Sequence, residues 1–190
     1  ALKAIIAFGG HEVPERKLND ALWPDEDGDC AHRSLTATLH RLRKLLSNGN
    51  AIRQTGGSLT LDDRFCWVDA AAFESSLIQG CDAGEGGDAV FLLYRGAFLA
   101  QEEDAPWAVP MRERLRAKFI HAVGRLGVSL EESGRYESAI DLYTRGIEAD
   151  NLVEPFYQGL MHCYDRLNRR TEAVSAYRRL CQTLSVSLGV

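Results

Sequence analysis

No apolar run in this 190-residue chain approaches the 18 or so residues that a membrane-spanning helix needs, and the reading excludes such a span. No secretory signal peptide is visible, and the missing initiator Met is expected of a segment cut from something longer. Cys30, Cys66, Cys81, Cys163 and Cys181 are odd in number and widely spaced, with no C-x-x-C. Reduced thiols in a cytoplasmic protein are expected, with neither a zinc site nor a disulfide framework. The motifs H-E-x-x-H, G-x-S-x-G, the Walker loop and the dinucleotide fingerprint are all missing. His162 and Cys163 are adjacent, but neighbouring helical positions point about 100° apart and do not form a catalytic pair. The acidic stretch GCDAGEGGD (80–88) lacks the EF-hand spacing and reads as a surface loop. The chain is therefore not expected to be an enzyme, nor to carry a metal or cofactor.

One further absence is local. Cys30 to Leu61 holds no Asp or Glu over thirty-two consecutive residues, in a chain of formal net charge −5. The stretch carries Arg33, Arg41, Arg43, Lys44 and Arg53, with His32 and His40 between them. Its first part, AHRSLTATLHRLRKLL, has helical periodicity. Ala31, Leu35, Leu39, Leu42 and Leu46 fall on one side, with Leu45 at the edge, and are expected to dock on a core. Arg33, Ala37, His40, Arg41 and Lys44 fall opposite, flanked by Thr36 and Arg43. Asp25, Glu26, Asp27 and Asp29 precede the helix, where acids favour its N-terminal dipole. Two strand-like runs follow, AIRQT and SLTL, joined at Gly56-Gly57. A basic helix leading into a hairpin is the arrangement of a DNA-reading winged helix, and ordinary solvent faces mix both signs of charge. Phosphate contact is expected from Arg33, Arg41, Arg43, Lys44 and Arg53, and base reading near Thr36, Ala37 and His40.

Charge is divided along the chain. Residues 1–68 hold nine basic and nine acidic residues, leaving thirteen basic and eighteen acidic for the remainder. Like charge keeps the second part off a phosphate backbone, so two halves with two jobs are expected. LKAIIAF and PERKLNDALW read as two helices ahead of the basic one, and RFCWV as the wing's final strand or its exit. Asp69 is a candidate N-cap for the next helix. Trp67, Phe73 or both are expected to be buried where the halves meet. From about Trp107 the chain reads as helical, with a repeat of period 34: Leu126 and Leu160, Gly134 and Asn168, Ala139 and Ala173, Tyr143 and Tyr177. That is the tetratricopeptide period. AVFLLYRGAFL reads as a preceding, degenerate helix of the stack.

The segments ALWPDEDGDCAHRSLTATLHRLRKLL and LLYRGAFLAQEEDAPWAVPMRERLRAKF, together with the two repeats, resemble a bacterial transcriptional activator domain joined to a winged helix. That is the pairing of Streptomyces antibiotic regulatory proteins. CWVDAAAFE after the wing is similar to the output module of MalT-like ATPase regulators. The resemblance implies a mainly α protein: a truncated winged helix-turn-helix over 1–68, its N-terminal strands missing, then a tetratricopeptide-like domain over 69–190, with repeats at about 119–152 and 153–187. It places a recognition helix at Ala31–Leu46 and a wing at Ala51–Leu61. The partners implied are double-stranded DNA and, through the repeats, RNA polymerase or another protein; monomer and homodimer both stay open, and no membrane is expected. The competing reading is a tetratricopeptide-like adaptor whose winged helix does not bind DNA.

Overall fold

A computed structural model describes residues 1–79, 86–102 and 104–189, which fall into two compact units. The first comprises Ala1–Val68 with Phe98–Glu113, the second Asp69–Ala97 with Arg114–Val190.

The first unit is a winged helix. Helix α1 (Leu2–Ala7) stops at Gly9 and Gly10, whose φ values of +103° and +76° suit glycine alone at low cost. Strand β1 (Val13–Pro14) leads directly into α2 (Glu15–Leu22), with Pro14 as its N-cap. Helix α3 (Gly28–Leu45) begins one turn before the expected Ala31 because the Asp27 carboxylate accepts the backbone N–H of Cys30 at 2.8 Å. Asp29 thereby falls inside the first turn. Strands β2 (Ile52–Thr55) and β3 (Ser58–Leu61) form the hairpin, with Thr55 paired to Ser58. The turn between them places Gly56 at φ +58° and Gly57 at +76°, as the two-residue type I′ loop requires.

The sheet order is β1-β3-β2, antiparallel throughout. The third strand is thus Val13–Pro14, registered against Leu59 and Ser58, and not RFCWV. Residues 64–68 form no strand; Phe65 and Cys66 both turn back to hydrogen-bond the Asp62 carbonyl. Ile5, Leu18, Leu35, Leu39, Ile52 and Leu59 make one core, against which Trp107 from the returning segment also packs. That segment is tied down by Arg112, whose guanidinium donates to the carbonyls of Phe98 and Leu99, each at 2.9 Å.

The second unit holds α4 (Asp69–Gln79), α5 (Gly86–Leu93), most of α6 (Val109–Glu132), α7 (Tyr136–Ala149), α8 (Glu154–Arg166) and α9 (Arg170–Leu188). Gly86–Asp88 of the expected acidic loop opens α5, and residues 80–85 lie outside the described residues. The expected helix AVFLLYRGAFL ends at Leu93; Gly96 at φ +137° and Leu99 at φ +49° carry the chain away from helix. Phe73 is buried against Tyr94, which stacks on Phe119 at 4.2 Å between centroids. Trp67, by contrast, is 74% exposed, so of the two rings offered for burial Phe73 is the one that is buried.

The repeat is written into the backbone. Arg135 donates to Leu130 O and Gly134 to Glu131 O, closing α6 in a Schellman turn. Arg169 to Tyr164 O and Asn168 to Asp165 O reproduce it 34 residues later. Gly134 and Asn168 both adopt left-handed conformations, at φ +72° and +58°.

Inside the first repeat the Tyr143 ring lies between two glycines. A Cβ on Gly127 would come within 2.2 Å of the Tyr143 hydroxyl, and one on Gly159 within 2.4 Å of its Cζ. Gly159→Ala should therefore cost about 1–3 kcal/mol through overpacking. Gly124→Ala has nothing within 4 Å of the new methyl, and should add about 0.5–1 kcal/mol through helix propensity. Urea denaturation of both variants checks this pair; equal shifts of the midpoint would contradict the packing.

Candidate nucleic-acid interface

Helix α3 presents its sides as its periodicity dictates. Ala31, Leu35 and Leu39 are buried, and Leu42 and Leu46 partly so. Leu45, read as an edge position, is instead 80% exposed. On the outer side an open depression is lined by His32, Arg33, Thr36, Ala37, His40 and Arg41. Five of the eight residues expected to contact DNA are therefore brought together in one place, and Lys44 is exposed on the same helix in its last turn. Small side chains at Thr36 and Ala37 leave the middle of this surface low. Thr36 is further held down, since its hydroxyl donates to His32 O at 2.9 Å. Arg33 lies back along the helix start, with its Nη2 3.1 Å from Cys30 Sγ.

The remaining two expected residues have structural partners. Arg43 turns inward and donates from Nε and Nη2 to the Ile52 carbonyl, at 3.1 and 3.0 Å. It thus fastens the end of α3 to the first strand of the wing. Arg53 stands exposed on β2, with Nε 3.5 Å from an oxygen of Asp62.

Asp62 was not among the expected site residues. It is 4% exposed, the sole buried acid among the described residues, and receives Arg64 in a bidentate grip at 2.9 and 2.7 Å. Those hydrogen bonds hold its carboxyl well below the usual carboxylate range, against the opposing effect of burial.

Glu15 was missed as well. Its backbone N–H donates to Gly57 O at the wing turn, and its carboxylate accepts Gln54 Nε2 at 2.8 Å and lies 3.6 Å from His32 Nδ1. One acid on α2 therefore touches both the wing and the outer side of α3. The stretch without acids along the sequence is thus met in space by acids from outside it: Glu15 and Asp62, besides Asp27 at the helix cap and Glu26, which accepts the Ser34 hydroxyl at 3.1 Å. The only sequence signals were an acid directly after Pro14 and another directly after the hairpin. Among the described residues, no group of three or more His, Cys, Asp or Glu is placed to hold a metal.

Residues 68–190 match the family described as the bacterial transcriptional activator domain. The chain is 27% identical over 198 residues to regulatory protein AfsR of Streptomyces griseus. It is 28% identical over 200 residues to regulatory protein AfsR of Streptomyces coelicolor. The match takes in all of this chain but 20% of the length of each of those proteins. Mycobacterium tuberculosis EmbR, solved in complex with a low affinity phosphopeptide, superposes with a TM-score of 0.69 at 20% identity, covering 100% of this chain and 55% of that one. At that identity the likeness speaks for the fold, a winged helix plus a helical domain.

The depressed Asp62 carboxyl sets a sign for acid stability. A carboxylate held below its ordinary value, about 3.9, stabilises the fold above that pH, and the contribution is lost as pH falls toward the folded value. The melting temperatures of the native chain and Asp62→Asn should differ by a constant gap above about pH 5 and converge as pH falls below about 3.9. A gap that widens in acid would contradict the assignment.

Proposed function

The chain belongs to the family of the bacterial transcriptional activator domain, and from that premise we propose that it is the DNA-reading and activating part of a cytoplasmic transcription regulator, with no catalytic role. Residues 1–68 bind promoter DNA; residues 69–190 contact RNA polymerase or a neighbouring protein domain. The observation that carries this reading is the exposed depression on α3, lined by Arg33, Thr36, Ala37, His40 and Arg41.

The chemistry fits a major-groove reader. An α-helix fits that groove, and the low centre at Thr36 and Ala37 lets its backbone approach base edges, with a methyl available for thymine contact. Arg33, Arg41 and Lys44 on the helix and Arg53 on the hairpin neutralise phosphates on either side. Arg43 belongs to the same set but acts chiefly by fixing the wing, since two of its donors are already taken by Ile52 O. The repeats supply protein contact, as stacked helical pairs generally do.

Gel-shift titration of the 190-residue chain on its own promoter, across a range of salt, tests the proposal. Lys44→Ala should weaken all sequences alike and reduce the slope of log affinity against log salt by about one. Arg33→Ala should relax preference at one base pair by about 1–3 kcal/mol if its guanidinium reads a guanine. Salt-independent binding, or no binding at any salt, would sink the reading.

A further inference from the structure

Within the second unit, α4 and α6 face each other across a groove whose chemistry departs from its surroundings. Its volume is about 520 Å³. Leu77, Ala122 and Leu126 give it an apolar floor, and Ile78, 84% exposed, stands at its edge. Lys118, His121 and Arg125 line it from successive turns of α6.

Glu74 is the one carboxylate among its described lining residues, and it is already engaged by Arg114 Nη2 at 3.0 Å and Lys118 Nζ at 2.5 Å. Arg125 and His121 lie free of ion pairs among the described residues. Residues 69–190 as a whole hold eighteen acids against thirteen bases, so a cationic, apolar trough stands out in this half of the chain.

We propose that this groove docks an acidic amphipathic helix of a separate partner protein. The proposal rests on the reading that the repeats contact a protein, and names the surface and the partner's chemistry.

Three features select the occupant. The lining positions on α6 run from Ala117 to Ser129, about 18 Å at 1.5 Å per residue, which matches three turns of a partner helix. Strand addition has no template here, since the described residues of this unit contain no strand. The apolar floor, flanked by Arg125 and His121 without ion pairs among the described residues and by Lys118, which shares the Glu74 carboxylate with Arg114, complements a helix with leucine-like residues at i, i+4 and i+7 and carboxylates beside them.

A fluorescein-labelled fifteen-residue helical peptide, with Leu at i, i+4, i+7 and i+11 and Glu on the flanks, is titrated into the 190-residue chain. A second peptide carries Lys in place of every Glu. The Glu peptide should bind about tenfold or more tighter than its Lys counterpart. Ile78→Ser and Arg125→Glu should each weaken it about fivefold or more, with melting temperatures and promoter binding unchanged. Amide exchange should show protection confined to 74–78 and 117–129.

Equal binding of the two peptides, binding of neither, or indifference to both variants would overturn the proposal. Protection on α7–α9 instead would overturn the groove while leaving protein contact by the repeats standing. Self-association of the native chain that Ile78→Ser abolishes would assign the groove to a second copy, and so overturn it too.

Discussion

Leu35 and Leu39 of α3 are sunk in a core that also takes Ile5 from α1, Leu18 from α2, and Ile52 and Leu59 from the hairpin. Each such side chain is worth about 1.5–3 kcal/mol when fully buried, so turning the helix about its axis would forfeit several of these at once. Burial on one side is what points Arg33, Ala37, His40 and Arg41 outward on the other. Because the hairpin places its own inward residues in the same core, helix and wing are fixed by a single apolar contact. Polar contacts then set the finer register: Arg43 closes on the Ile52 carbonyl, and Glu15 reaches both Gln54 and His32. Neither contact would hold without the core beneath it, since exposed pairs of this kind contribute little alone.

Much of this was legible in the sequence because it is periodic or local. The 3.6-residue pattern of α3 gave its buried side, the Gly56-Gly57 pair gave the hairpin, and the 34-residue spacing gave the repeats. What escaped is non-local. A strand of two residues, Val13–Pro14, leaves no alternation to detect; RFCWV, which by composition suits either the wing's final strand or its exit, turns back on Asp62 and is the exit. The extent of α3 was short by a turn because the capping acid is Asp27, while Asp29 two positions on lies within the helix. Glu15 and Asp62 were invisible as site residues because their partners are fixed by the fold and not by spacing along the chain. Leu45, at the edge of the apolar stripe, and Trp67, beside the chain junction, are large and apolar, yet both face solvent.

The repeats show how one position can serve two ends. Tyr143 is buried between Gly127 and Gly159, with its hydroxyl donating to Glu131 at 2.7 Å. Its counterpart Tyr177, 34 residues on, is 56% exposed, and Met161 stands where Gly127 stands in the first copy. A glycine at that place admits a ring against the helix backbone, whereas methionine carries a side chain where the first copy has none. The second copy thus keeps the turn and the alanine of the motif while giving up the seated aromatic.

The central claim is that α3 and the hairpin form one DNA-reading surface. Amide chemical-shift mapping of the 190-residue chain with its promoter duplex tests this most directly. The account predicts perturbation at positions 32–44 of α3 and at 53–57 of the wing together, with α7, α8 and α9 unmoved. Perturbation confined to α7–α9, or to α3 with the wing silent, would contradict it.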